Sequence, residues 1–288
     1  MKIDSMLFPL EIHGAAAAMA TAVEEIARLG IGRVDLLYVI NIRDTAADPA
    51  VRKHDLLVMN EWKKRLEACG VTNVRTDVAD GIPWIEILER SEMDPPSFIV
   101  MGSHGRSLIS RMFIGSQTEN VLHHLKVPLL ILRVVVMNEG DPNTCTISTN
   151  RIFRRILYLT DFSEEAEKCI PFIEWMKGAK PEQLVILHVQ DTRRLGTASR
   201  DEIETFNRKD TERLSGLKRR FETLAIPQVI TKQVAGNAID EILAVEESLS
   251  PTIIVMGAKG RHSAIRSLLG GVTEAVVHHA KAHIVVVR

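Results

Sequence analysis

Cysteine is scarce in this chain: three in 288 residues, Cys69, Cys145 and Cys169, widely spaced and odd in number. They form neither a CxxC pair nor a zinc-ligand pattern, which excludes a disulfide-stapled scaffold and points to a reducing compartment. An excess of one charge is also missing. The 36 Lys and Arg nearly cancel the 37 Asp and Glu, leaving a net charge of −1, so the basic signature of a nucleic-acid binder is absent. The most apolar stretch, Val127–Met137, is interrupted by Arg133 and is too short to span a bilayer. Near the N-terminus, Asp4, Glu11 and His13 break any signal-peptide-like core. The motifs GxSxG, GxxxxGK(S/T) and GxGxxG do not occur, and no carboxylate pair or His/Cys cluster has a spacing that compels a reaction. These absences predict a cytoplasmic binding protein, not an enzyme, with no membrane or nucleic-acid partner.

What is present is ordinary globular composition, 45% hydrophobic and 25% charged, in a length suited to two domains of roughly 100–200 residues each. The chain also repeats itself. Ile-Val-Met-Gly occurs at 99–102 and again at 254–257, an offset of 257 − 102 = 155. Holding that offset over the 25 positions Gly102–Lys126 gives eleven identities with Gly257–Lys281, where unrelated segments would share roughly one or two. Met6–Glu11 similarly faces Ile156–Asp161. Between the repeats, Met137–Asn150 is polar and rich in turn-formers, and it reads as a linker. The organisation predicted is 1–136, linker 137–150, and 151–288.

Within each repeat, short β-branched runs alternate with amphipathic stretches. Strands are predicted at Ser5–Leu10, Arg33–Ile40, Asn73–Val78, Ser97–Gly102 and Pro128–Val135, then at Arg155–Thr160, Gln183–Gln190, Gln228–Val234, Thr252–Gly257 and His283–Arg288. Helices are predicted between them, one of them continuous over Glu164–Met176. Such alternation indicates a parallel sheet covered on both faces, a doubly wound α/β fold. Pro9 is a local misfit, because proline costs a ladder hydrogen bond inside a central strand.

In such folds ligands bind beyond the carboxyl ends of the strands. After the fourth strand of the first repeat come Gly102, Gly105, Arg106, Gly115, Ser116 and Thr118; in the second come Gly257, Gly260, Arg261, Gly270, Gly271 and Thr273. Glycines let a backbone approach a ligand, and a helix N-terminus offers free N–H groups to an anion. The hydroxyls of Ser116, Thr118 and Thr273 and the arginines suit a phosphate.

Gly-x2-Gly-x9-Gly-(Ser/Thr) after Ile-Val-Met-Gly, the opening Leu-Thr-Asp161-Phe-Ser163, and the segments Leu37-Tyr-Val39 and Leu187-His-Val189 resemble the universal stress protein superfamily. The likeness covers both repeats, so the chain is similar to a tandem universal stress protein. The resemblance implies two Rossmann-like, adenine nucleotide alpha hydrolase-like domains with strand order 3-2-1-4-5. It implies ATP or AMP in the crevice, with Mg2+ as a companion of the phosphates. The acidic residues Glu11 and Asp161 and the valines Val39 and Val189 would flank adenine and ribose, and the glycine loops would hold phosphate. It also implies pairing of the last strands as an intramolecular pseudo-dimer, a homodimer as the next level of assembly, and an unknown protein partner in stress response or signalling. Two departures stand out: Glu11 where the family shows aspartate, and Gly271 where it shows Ser/Thr. The second repeat is favoured slightly. A tandem scaffold that binds no nucleotide and a weak ATP hydrolase stay open as alternatives.

Overall fold

Runs such as Met6-Leu-Phe8 and Ile253-Ile-Val255 carry no polar side chain on either face, so they fold only where both faces of a sheet are covered. The computed structural model describes residues 2–10, 15–41, 49–103, 114–136, 145–149, 151–192, 200–261 and 269–288. The chain divides into two compact units, Met1–Asn150 and Arg151–Arg288.

The first unit runs β1 (Ser5–Pro9), α1 (Ala15–Ala27), β2 (Arg33–Asn41), α2 (Pro49–Ala68), β3 (Asn73–Gly81), α3 (Pro83–Met93), β4 (Phe98–Gly102), α4 (Ser116–His124), β5 (Leu129–Leu132), β6 (Val134–Val136) and β7 (Cys145–Ile147). The second runs β8 (Arg155–Leu159), α5 (Glu164–Glu167), α6 (Ile170–Met176), β9 (Gln183–Asp191), α7 (Arg200–Glu222), β10 (Gln228–Gly236), α8 (Ala238–Leu249), β11 (Ile253–Gly257), α9 (Gly271–His279) and β12 (His283–Val287). Strand orders are β3-β2-β1-β4-β5 and β10-β9-β8-β11-β12, with every pair parallel. Each unit is therefore the expected 3-2-1-4-5 doubly wound fold.

Central strands supply the cores. Met6, Phe8, Ile99 and Val100 in the first unit, and Leu157, Tyr158, Ile254 and Val255 in the second, are wholly buried. Helices close over them with aromatic contacts at ordinary edge-to-face spacing: Phe8 meets Trp62 at 5.2 Å, and Tyr158 meets Phe221 at 6.0 Å. Among the described residues no helix is long and apolar enough to cross a membrane.

Three local differences have physical causes. The predicted strand Pro128–Val135 is two strands, because the chain leaves the sheet at Arg133: the Val134 N–H donates to Ser103 Oγ at 3.1 Å and the Ser148 N–H to the Arg133 carbonyl at 3.1 Å. β6 then pairs antiparallel with β7, Val134 opposite Ile147, so Cys145–Ile147 of the segment read as linker belongs to a small ribbon; 137–144 and Asn150 lie outside the described residues. The single helix expected over Glu164–Met176 is broken into α5 and α6, because Pro171 has no N–H to continue the ladder. Pro9, the apparent misfit, is the last residue of β1. It lies beyond the final β1–β4 pair, Leu7 with Ile99, and the next N–H, from Leu10, reaches the Leu37 carbonyl at 2.8 Å.

That stagger makes the crevices. β1 stays with β2 out to Pro9↔Leu37 but leaves β4 after Leu7, and β8 stays with β9 out to Leu159↔Leu187 but leaves β11 after Tyr158↔Val255. Each split lies at the carboxyl end where strand order reverses, the position at which doubly wound sheets take ligands.

Candidate functional site

In the second unit the chain turns sharply out of β8. Thr160 Oγ1 accepts the Phe162 N–H at 3.0 Å, and Phe162 adopts φ +57°, a left-handed conformation uncommon outside glycine. The Asp161 carboxylate pins the turn to the glycine loop. Its Oδ1 accepts from the Ser163 N–H at 3.0 Å and the Ser163 hydroxyl at 2.5 Å, and its Oδ2 accepts the Arg261 N–H at 2.6 Å. A carboxylate has about four lone-pair sites, so these three bonds leave about one for anything else. Ser163 also caps α5 by accepting the Ala166 N–H at 3.2 Å. The Arg261 guanidinium is held by the Phe162 carbonyl at 3.2 Å, with its Cζ 5.9 Å from the Phe162 ring.

At two glycines a side chain would crowd its neighbours. A Cβ on Gly260 would lie 2.7 Å from Asp161 Oδ2, and one on Gly257 would lie 3.0 Å from the Glu165 carbonyl group at the start of α5. At Gly271 a Cβ would meet nothing within 4 Å.

Behind the turn opens a cavity of about 460 Å³, within the usual range of small-molecule sites. All of Asp161, Val189, Gly257, Gly260, Arg261, Gly270, Gly271 and Thr273 line it. Its walls are Leu187 and Val189 of β9, Met256 of β11, and Ala238, Ile239 and Ile242 of α8. Lys259 and Asp191 line it too, and sequence reasoning did not single them out. Lys259 sits inside the Gly-x2-Gly spacing and Asp191 ends β9, two residues beyond Val189, so spacing alone would have found both.

One end of the cavity is the N-terminus of α9. Gly270 is the N-cap and supplies no side-chain acceptor. Its own N–H donates to the Ala258 carbonyl at 2.8 Å, and its carbonyl accepts the Glu274 N–H at 2.9 Å. The N–H groups of Gly271, Val272 and Thr273 have no intrahelical partner, and the helix dipole places partial positive charge there. The Thr273 hydroxyl is not among the donors offered: it is buried and bonded to the Gly257 carbonyl at 2.9 Å. Thr118 does the same in the first unit, onto the Gly102 carbonyl at 2.8 Å. Both threonines tie the fourth strand to the helix that follows it.

In the first unit Val39 lies near the end of β2, Gly102 ends β4, and Gly115 caps α4, whose first residue Ser116 is exposed. Glu11, Gly105 and Arg106 lie outside the described residues.

Of the histidine pairs at the ends of α4 and α9, the second member bonds to its own helix, His124 Nδ1 with the Asn120 carbonyl and His279 Nδ1 with the Ala275 carbonyl, each at 2.8 Å. Among the described residues no group of three or more His, Cys, Asp or Glu is placed to hold a metal ion. Burial pushes the Cys169 thiol far above the usual range, with the nearby Glu165 and Asp161 adding to the shift, which leaves it unreactive.

The fold and site together define a doubly wound α/β module, twice in one chain, with a glycine-spaced segment and a helix N-terminus at the strand switch point. A model of the universal stress protein family matches residues 3–133 and 152–288, and the chain belongs to that family. Universal stress protein MJ0577 of Methanocaldococcus jannaschii is 31% identical over 156 residues, covering 48% of this chain and 96% of the relative. Universal stress protein Rv2005c of Mycobacterium tuberculosis is 23% identical over 241 residues, covering 81% of this chain and 76% of the relative. The crystal structure of a universal stress protein from Archaeoglobus fulgidus DSM 4304 aligns with a TM-score of 0.73 at 25% identity, over 100% of this chain and 99% of that one. The family model matches once in each unit, which is the tandem arrangement expected from the repeat.

Proposed function

We propose that the second unit binds an adenine nucleotide, ATP or AMP, and that the protein acts as a nucleotide-responsive stress or signalling module. The observation that carries this reading is the convergence of three N–H groups without an intrahelical partner, Gly271 to Thr273, with an apolar-walled cavity of about 460 Å³. The residues present fit such a ligand. The α9 N-terminus and Lys259 suit phosphate, Val189, Ile239, Ile242 and Met256 suit a flat base, and Asp191 and the remaining lone pair of Asp161 suit ribose hydroxyls. A Mg2+ ion would be held mainly by the phosphates and water, because such ions keep several waters and need only one or two carboxylates.

No step of catalysis is assigned. Asp161 is committed to Ser163 and Arg261, and neither threonine hydroxyl is free to act on a phosphate. The same inward-turned hydroxyls favour the scaffold alternative, in which the loop is purely structural. A thermal-shift assay separates the two. Binding predicts a rise in Tm with ATP or AMP, absent in Gly260→Val, whose side chain would displace Asp161. The scaffold predicts no shift in either protein.

A further inference from the structure

Across the offset of 155, the two crevices differ at three positions that act together: Ile82, Trp84 and Gln117 in the first unit stand where Asn237, Ile239 and Val272 stand in the second. All three of the latter lie at the gap between the first turns of α8 and α9. There Asn237 caps its own helix, accepting the Ile239 N–H at 3.0 Å. Val272 has no polar group to reach across, and the gap remains open as the cavity lined by Ile239 and Val272.

The first unit solves the same capping problem differently. Ile82 is the N-cap of α3 and has no acceptor, so the second N–H of the helix, from Trp84, needs a partner from elsewhere. Gln117, in the first turn of α4, supplies it: Oε1 accepts the Trp84 N–H at 3.0 Å. The Trp84 ring adds a second tie to α4, 5.4 Å from the His124 ring and tilted 31°. His279 holds the matching helix position with the same bond to its own backbone, but the residue opposite is Ile239, which has no ring to stack.

We propose that Gln117 is a strap across the mouth of the first crevice, so that each chain takes one nucleotide, in its second unit. This rests on the nucleotide reading above. The strap occupies the approach to the α4 N-terminus with a side chain whose removal would orphan a helix-capping donor, so the crevice does not open without loss of that bond. The replacement of Asn237 by Ile82 is what makes the strap necessary, and the replacement of Val272 by Gln117 is what makes it available.

Calorimetric titration with ATP and with AMP tests the proposal through stoichiometry. The expected values are one site for the wild type, that single site weakened roughly ten- to a hundredfold in Gly271→Asp, and two for the double variant Ile82→Asn/Gln117→Val, which restores a local cap and removes the strap. Two sites in the wild type, a site persisting at wild-type affinity in Gly271→Asp, or one site in a double variant that melts like the wild type would each overturn the strap. If the double variant does not fold, the Gly271→Asp arm decides alone. No site in the wild type but one in the double variant supports the strap while overturning nucleotide binding by the second unit; no site in either overturns both.

Discussion

Gly271 offers a perturbation that separates ligand binding from folding. It is the first residue of α9, exposed, with open space where a Cβ would go. Replacing it by aspartate places a negative charge at a helix N-terminus, which favours the fold by about 0.3–1 kcal/mol. Loss of glycine's freedom in the unfolded chain adds about 0.4–1 kcal/mol. The unliganded Gly271→Asp protein is therefore expected to melt at or above the wild-type Tm. A phosphate docked on the N–H groups of Gly271 to Thr273 would meet that carboxylate at about 5 Å. At an effective dielectric of about 20 the repulsion is about 3 kcal/mol. The position is exposed, so screening reduces it to about 1.5–3 kcal/mol, roughly ten- to a hundredfold in Kd. Gly271→Ser runs the other way, adding a hydroxyl donor worth about 0.5–1.5 kcal/mol, roughly two- to tenfold tighter. Calorimetry with ATP and a melting curve on each protein give the readout. Wild-type affinity in Gly271→Asp, or weaker binding only alongside a lower Tm, would refute the placement of phosphate at α9.

Other expectations concern stability. Gly257→Ala drives a Cβ to 3.0 Å from the Glu165 backbone, an overpacking that costs about 1–3 kcal/mol, measurable as a lower urea midpoint. Glu246, buried in α8, accepts the N–H groups of Lys281 and Ala282 at 2.7 and 2.8 Å. Glu246→Ala leaves both unpaired and is expected to cost about 2–3 kcal/mol in chemical denaturation, with Glu246→Gln, which keeps a carbonyl acceptor, costing less. Hydrogen bonds from Arg75 and then Arg33 hold the Asp94 carboxyl below its usual range. A lowered native pKa contributes stability above the unfolded value of about 3.9 and loses it as pH falls through the native value. The urea midpoint of the wild type should therefore fall more steeply below pH 4 than that of Asp94→Asn; parallel curves would remove Asp94 from the account.

The repeat, the alternation of strands and helices and the glycine spacing were legible because they rest on local signals: β-branched runs, turn residues and identity at a fixed offset. The strand order was expected only from the resemblance to the family. What escaped was set by tertiary context. A threonine in the first turn of a helix reads as a donor to an anion, but Thr118 and Thr273 turn inward because the carbonyls of Gly102 and Gly257 lie within reach under the helix. Gln117 reads as an ordinary polar helix residue until Ile82 is seen to leave α3 uncapped, 35 residues earlier in the chain. Cys145–Ile147 is too short to show a strand period, and its pairing depends on β6 leaving the sheet at Arg133. Phe162 carries no sequence sign of its left-handed backbone, which is imposed by Thr160 and Arg261 around it.

The most direct measurement of the central claim is chemical. The protein is purified without added nucleotide, heat-denatured, and the released small molecules are chromatographed; the stripped protein is then titrated with ATP and AMP. The account predicts adenine nucleotide either released in proportion to protein or bound on titration, and bound roughly ten- to a hundredfold more weakly in Gly271→Asp while the fold survives. An empty protein that shows neither heat of binding nor thermal shift with either nucleotide would contradict it.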